Sequence, residues 1–381
     1  MEKVFLVRGI APDAYGGAEF YQLQLAQILQ KNGFEPIIVT SSKQLIKLAR
    51  KEKIQTINMP YNERQNWSGW KNILLPLYFL WQIRLIRWYK KQIKQYQPVA
   101  INVQSRDDWI AATLAAKKLN IQSIFWTDHV DFRSWVFQNI HQKFKNPIGK
   151  YILKLSKIPK NIIMISDYEY DFARKKIFPK DQNNLVVIKN GVIDRKAQYR
   201  DVKYKPRSFC YVGRLVNSKG IRELIRAFKK VEREFPGAQL SIYGDGDRSD
   251  IEKYQKIAED NKGINFYGYT NNPLLAIAQS AVFVLPSYYE GMSLSLLDAT
   301  MMGKTIIATD IDGNSEIILH NKTGILVPPK NVKSLEAAMK WTLRNPDQAK
   351  QLGLNARKKY EKEFNFEKIV KEKIIKDLLN D

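Results

Sequence analysis

The chain has 381 residues, too many for one ordinary domain, and its composition, 44% hydrophobic and 12% aromatic residues, excludes disorder throughout. Its one cysteine, Cys210, excludes an intrachain disulfide framework and fits a reducing compartment; with only three histidines, little material is left for a zinc site. The net charge of +24, most of it carried by residues 1–195, implies an anionic partner: a membrane surface, a phosphorylated acceptor or nucleic acid.

Met1-Glu2-Lys3 runs straight into a short apolar strand pattern at 4–7, without the long apolar core of a secretory signal. Helical spacing follows over 19–32, through Phe20, Leu23, Ala26 and Leu29, and Gly33 stops it. Further strand patterns lie at 35–40, 99–103, 121–126 and 161–165. Strands alternating with helices predict a parallel sheet wrapped by helices. The pair Gly16-Gly17 after the first strand is not the Gly-x-Gly-x-x-Gly pattern, so a dehydrogenase reading loses its main support.

Between the second and third strands, 67–97 reads in two ways. As a helix it gathers Arg84, Arg87, Lys90, Lys91 and Lys94 on one arc, with Trp81, Leu85, Trp88, Tyr89 and Ile93 opposite. An aromatic and aliphatic face against a basic one suits a helix lying on an anionic membrane, with Trp67 and Trp70 as further contacts. The same pattern suits a domain helix that packs its apolar side on the sheet and leaves its basic side in water. Its most apolar stretch, 73–81, is broken by Pro76 and soon meets Arg84; crossing a bilayer takes roughly 20 apolar residues. The segment is therefore not expected to span, and the protein is expected in the cytoplasm, peripheral on the inner face of a membrane.

The pattern restarts after a joint near 195–206. Strands are predicted at 209–212, 239–243, 265–268, 282–285 and 305–309, and helices at 222–234 and 251–260. Cys210 falls inside the apolar run 209–212, which predicts a buried, inert thiol. Two successive α/β units, 1–195 and 196–381, are the expected architecture, joined by a hinge because no Gly/Ser linker is present. The last charged helical pattern, 356–379, is expected outside the second sheet, with its end, 360–381, able to return towards the first domain.

Two loops of the second half carry the chemistry. Pro286-Ser287-Tyr288-Tyr289-Glu290-Gly291-Met292-Ser293-Leu294 follows the strand at 282–285 and enters a helix around Ser293. The backbone N–H groups of Gly291, Met292, Ser293 and Leu294 then stand at a helix start beyond a parallel strand, where unpaired amides and the helix dipole favour phosphate. Glu290 projects from just before that helix, and Asp298 lies about two turns on, placed to accept ribose hydroxyls. The strand at 209–212 ends at Gly213, which puts Arg214 and Lys219 on the next loop as two cations for a departing diphosphate. Asp245 with Asp247, and Asp310 with Asp312, read as turn sequences rather than metal ligands.

In this order, Gly16-Gly17-Ala18-Glu19, Asn190-Gly191-Val192, Gly213-Arg214 with Lys219-Gly220, Tyr243-Gly244-Asp245-Gly246, the Glu290 segment, and Gly313-Asn314-Ser315-Glu316 with Thr323-Gly324 resemble glycosyltransferase family 4. The resemblance covers nearly the whole chain and implies the GT-B fold: two Rossmann-like parallel-sheet domains facing a central cleft, the first for acceptor and the second for a nucleotide sugar. It implies that Arg214 and Lys219 hold the donor diphosphate, that Glu290 is the first acid of the family's Glu-x7-Glu motif, and that Gly16 and Gly17 approach the donor phosphates. The second acid falls on Asp298, one methylene shorter than the family's Glu. Tyr269 falls, on a loose alignment, in the base pocket. His129 matches a histidine beside the donor sugar, with Asp128 or Asp131 to orient it; a loop histidine without a ligand is the plainer reading.

The implied activity is retaining transfer of a hexose from a UDP- or GDP-linked donor to a glycan or lipid-linked acceptor, with no bound metal and no cofactor beyond the donor. The leaving phosphate, not a protein carboxylate, deprotonates the acceptor on the same face, so the paired acids of glycosidases are the wrong template. Asp298 in place of Glu leaves one rival, a non-catalytic subunit of the same fold partnering an active transferase. A nucleic-acid partner rests on net charge alone and has no recognition module behind it.

Overall fold

Val4, Phe5, Leu6 and Val7 are all buried, as expected of a parallel strand covered on both faces. They form an interior strand of the first of two sheets. The computed structural model describes residues 1–13, 15–60, 75–129, 132–137, 147–259 and 261–379, divided into two units, Met1–Asn190 with Glu367–Asp381 and Gly191–Phe366.

The first unit holds seven parallel strands, β1 (Lys3–Arg8), β2 (Glu35–Thr40), β3 (Gln55–Asn58), β4 (Ala100–Val103), β5 (Ser123–Asp128), β6 (Asn161–Met164) and β7 (Leu185–Val187). Their order is β3-β2-β1-β4-β5-β6-β7. Around them lie α1 (Gly17–Lys31), α2 (Lys43–Lys51), α3 (Leu75–Tyr96), α4 (Arg106–Lys118), α5 (Pro147–Leu155) and α6 (Asp167–Lys176). The short edge strands β3 and β7 are additions to the sequence-based pattern, too brief for period or composition to mark. Strand β5 starts two residues later than 121 because the end of α4 uses the intervening chain. Leu119 and Ile121 both donate their N–H to the carbonyl of Ala116, and Asn120 takes a left-handed φ of 56°. That delay brings Asp128 to the strand's last position and His129 just beyond it. Beneath, Trp109 stacks on Trp126 at 4.9 Å and on Phe132 at 4.7 Å, and both indoles are satisfied: Trp109 donates to the carbonyl of Val103, Trp126 to Thr113.

Helix α3 decides between the two readings of its apolar face. Leu85, Tyr89 and Ile93 are buried, and Trp81 and Trp88 pack partly buried against the same core. The aromatic side therefore faces the core of the first unit, alongside α4, and not a membrane. Trp67 and Trp70, and Asp131, lie outside the described residues. Among the described residues no helix is long and apolar enough to cross a membrane.

The second unit holds β8 (Lys205–Val212), β9 (Gln239–Tyr243), β10 (Ile264–Gly268), β11 (Ser280–Leu285), β12 (Thr305–Thr309) and β13 (Ile325–Val327), all parallel, in the order β10-β9-β8-β11-β12-β13. Its helices are α7 (Ile221–Glu234), α8 (Arg248–Ala258), α9 (Pro273–Ala278), α10 (Leu294–Met302), α11 (Asp312–Ile317), α12 (Val332–Arg344) and α13 (Pro346–Glu363). Cys210 is fully buried, and burial pushes its thiol up to about 12, which makes it inert.

The tail differs from one continuous helix outside the second sheet. Helix α13 stays in the second unit and stops at Phe364, where the carbonyl of Phe364 accepts from Val192 and the N–H of Phe366 donates to Val192. Tyr360 also donates to the Val192 carbonyl, at 2.9 Å. A Cβ on Gly191 would stand 2.6 Å from the Phe364 carbonyl oxygen, so this crossing requires glycine. Beyond it Glu367–Asp381 belongs to the first unit, where Lys31 meets Glu367 at 2.9 Å.

Candidate active site

In each unit the strand order reverses once, between β1 and β4 in the first and between β8 and β11 in the second. Loops leaving the carboxyl ends of two such strands diverge, and open α/β sheets hold their ligands in the crevice between them. In the second unit the two loops are those of Arg214 and Glu290.

Backbone contacts lock these loops together. Gly213 donates to the carbonyl of Tyr243, Leu215 to that of Asp245, and the Tyr211 hydroxyl to that of Arg214 at 2.8 Å. Gly244 (φ +145°) lies so close that a Cβ would stand 1.8 Å from the Gly213 carbonyl oxygen; only glycine serves there. Likewise Gly220 (φ +68°) would place a Cβ 2.1 Å from the carbonyl oxygen of Pro286. Tyr288 donates to the carbonyl of Ser218 at 2.7 Å, so the Lys219 loop lies directly on the Glu290 loop. From the far side, Asn314 on α11 holds Thr309 through its amide, and the Thr309 hydroxyl donates to the carbonyl of Ser287.

The result is a fixed charged pair. Lys219 Nζ donates to Glu290 Oε1 at 2.6 Å, and Ser287 Oγ donates to the same oxygen at 2.7 Å. Both partners are mostly buried, with side chains 17% and 10% exposed, so the pair is far less screened than a surface one. An ammonium has three donors, so Lys219 can keep Glu290 and still reach an anion. Arg214 is exposed on the neighbouring loop. Both charges reach Tyr211: burial holds its hydroxyl well above the ordinary range, Glu290 adding to that and Arg214 opposing it.

Helix α10 starts where the motif predicts. Ser293 caps it, accepting from the N–H of Leu296, and Met292 and Ser293 are nearly buried, leaving backbone rather than side chains to a ligand. Asp298 is 7% exposed on this helix, and burial pushes its carboxyl up to about 7, with the charge of Arg195 opposing. Tyr269 lies apart from the crevice: it follows β10, the edge strand two places out from β8, and is 56% exposed. Beside it Tyr267 stacks on Tyr243 at 4.7 Å.

The first unit builds a different edge at its own reversal. Gly16 caps α1 in an extended conformation and Gly17 begins it. Arg8, at the end of β1, pairs with Glu19 in the first turn of α1 and donates to the carbonyl of Gln104, which follows β4, at 2.7 Å. His129 stands 3.5 Å from the Gln104 side-chain oxygen and edge-on to Tyr21. Burial, then the charge of Arg8, holds its imidazole well below the usual range, so it is neutral at physiological pH. Gln104 and Tyr21 stand beside the ring, and Asp128 accepts from the N–H of Phe132. Asp108 accepts from the N–H of Gly9 at 2.6 Å and from Tyr89 at 2.8 Å, and burial raises its carboxyl to about 6.

Sequence reasoning missed Arg8, Gln104, Asp108 and Ser287. Ser287 stands three residues before Glu290, a spacing that the motif displays; the others are joined only across the sheet.

Two family models match, Glycosyltransferase Family 4 over residues 15–196 and Glycosyl transferases group 1 over residues 193–359. A glycogen synthase of Mycobacterium tuberculosis is 29% identical over 200 residues, which are 51% of this chain and 48% of that one; the chain thus spans about half the length of that relative. Among solved structures, a glycosyltransferase of Rickettsia africae superposes with a TM-score of 0.79 at 19% identity, covering 100% and 99% of the two chains. Anabaena HepE in complex with UDP and glucose does so at 0.76 and 13%, covering 99% of each. At these identities the structures speak to the fold alone, which is GT-B in both sheets. With adjoining family models running from residue 15 to residue 359 over that fold, the chain belongs to glycosyltransferase family 4.

Proposed function

We propose that this glycosyltransferase is a retaining hexosyltransferase. It takes a hexose from a UDP- or GDP-linked donor and adds it to a glycan or lipid-linked glycan in cell-surface polysaccharide or glycolipid synthesis. It works in the cytoplasm, at the inner face of a membrane. The observation that carries this reading is the Lys219–Glu290 pair, steadied by Ser287, just ahead of the start of α10. A neighbour of the same fold was crystallised with UDP and glucose, and the proposal extends that donor class to this chain.

The donor diphosphate lies against the N–H groups of Gly291, Met292, Ser293 and Leu294, with Arg214 and Lys219 neutralising it as it departs. Glu290 binds sugar hydroxyls, held in place by Lys219. Asp298 accepts from the ribose, and its short, buried carboxyl must ionise to do so well. Gly16 and Gly17 approach the phosphates without side chains, and neutral His129 hydrogen-bonds the sugar. Tyr269 meets the base only if the nucleotide extends outward from the crevice along the sheet edge to the end of β10. As the sugar–phosphate bond breaks, the leaving phosphate oxygen takes the acceptor's proton on the same face, so configuration is retained. The protein supplies position and charge, and no metal.

A thermal-shift screen of UDP, GDP, ADP and their sugars tests the donor class, since a ligand bound only by the folded form raises Tm. Stabilisation by none of them would favour the non-catalytic subunit instead. Product anomers read by NMR test retention, and turnover unchanged by EDTA tests independence from metal.

A further inference from the structure

With its aromatic side packed on the core, α3 turns its other side outward, and that side carries two kinds of residue in one stripe. Leu77, Leu80 and Ile83 are 43%, 58% and 46% exposed. Steps of three and four residues carry the stripe on through Arg84, Arg87, Lys91 and Lys94, all exposed. The helix contains no acidic residue. Lys90 lies among Arg87, Lys94 and Lys118, and Lys117 and Lys118 are exposed at the end of α4. Cations crowded on a helix without acidic residues repel one another, and apolar side chains beside them raise the free energy while they face water. One surface relieves both: anionic at its face and hydrocarbon just beneath.

We propose that this outer face of α3, apolar at Leu77, Leu80 and Ile83 and basic from Arg84 to Lys94, is where the protein lies on an anionic lipid bilayer. The stripe from Leu77 to Lys94 is about 25 Å long, which lets the helix lie in the plane of the headgroups. A soluble polyanion would answer the cations and leave the leucines and isoleucine unexplained. The docking face belongs to the first unit and deepens the membrane part of the function proposed above. It does not depend on what the second unit binds.

The test is partitioning of the full chain onto vesicles, with nucleotide-induced stabilisation of the same samples measured separately. Wild type is expected to co-sediment with phosphatidylcholine vesicles containing phosphatidylglycerol, and not with pure phosphatidylcholine. Arg87→Glu/Lys91→Glu/Lys94→Glu should lower partitioning on the order of 100-fold. Leu80→Ser/Ile83→Ser should lower it about tenfold. Both should keep the wild-type circular dichroism, because the changed side chains are exposed. No binding of wild type to anionic vesicles, or equal binding by the triple variant, would overturn the proposal. So would unchanged binding by Leu80→Ser/Ile83→Ser, which would replace the bilayer with a soluble polyanion. Loss of nucleotide stabilisation in wild type would count against the donor reading alone.

Discussion

The two units repeat one construction and load it differently. Each has a parallel sheet that reverses order once, and each gathers polar side chains beyond that reversal. In the second unit the crevice is drawn by glycines that press loop on loop, and it presents Arg214 and Lys219. In the first unit the corresponding edge is sealed with buried, mutually satisfied groups: Arg8 with Glu19, and Asp108 with Gly9 and Tyr89. Its surplus of cations lies elsewhere, on the outside of α3. The fold supplies the position, and the residues decide whether it presents cations to an anion or ties its charges into a polar scaffold.

The comparison breaks first at the cations. Arg214→Ala and Lys219→Ala should each lower kcat by roughly 10²–10³; Tm should stay nearly unchanged in Arg214→Ala, whose side chain is exposed, and fall in Lys219→Ala, which strands the mostly buried Glu290 carboxylate. Near-normal turnover in both would remove the second unit's claim to the chemistry. In the first unit the reverse is expected. Arg8→Ala strands the buried Glu19 carboxylate and should cost about 3 kcal/mol, read as denaturant midpoint, while nucleotide stabilisation persists. If nucleotide binding disappears with an intact fold, the charge of Arg8 serves the donor and not only the scaffold.

The glycines sharpen the contrast. Gly244→Ala forces a Cβ onto the Gly213 carbonyl and should cost about 3 kcal/mol, together with much of the turnover, because the Arg214 loop must move. Gly33→Ala is the control: its φ of +87° is strained but nothing lies within 4 Å, so about 1 kcal/mol and no loss of turnover are expected.

Asp298 offers the smallest and most specific effect. Its carboxyl, raised to about 7, keeps a proton in the folded protein that the unfolded chain has already released. Its contribution therefore makes stability fall as pH rises from the ordinary carboxylate range to about 7, and level off above that. Asp298→Asn should erase this slope, so its Tm advantage over wild type grows between about pH 5 and pH 7. A constant difference across that range would show that the carboxyl is not raised.

Much of this was written in local sequence. The alternation of short β-branched runs with 3.6-residue periodicity announces two α/β units, because strand and helix periods are properties of neighbouring residues. The motifs also announce their own places: a glycine after a strand, a serine before a helix, and acids and cations between them. So the start of α10 at Leu294 and the loop of Arg214 and Lys219 were legible. What tertiary structure alone decided lies between residues far apart in the chain. Lys219 meets Glu290 across 71 positions, and Arg8 meets Gln104 across 96. Helix α13 stops at Phe364 and the tail leaves the second unit after Phe366, where Val192 takes its hydrogen bonds, which no charged helical pattern reveals. The amphipathic pattern of α3 told which residues share a side, but not which side the sheet would cover. Burial is settled by packing against distant strands, and it is burial that turned the aromatic face inward and raised the carboxyl of Asp298.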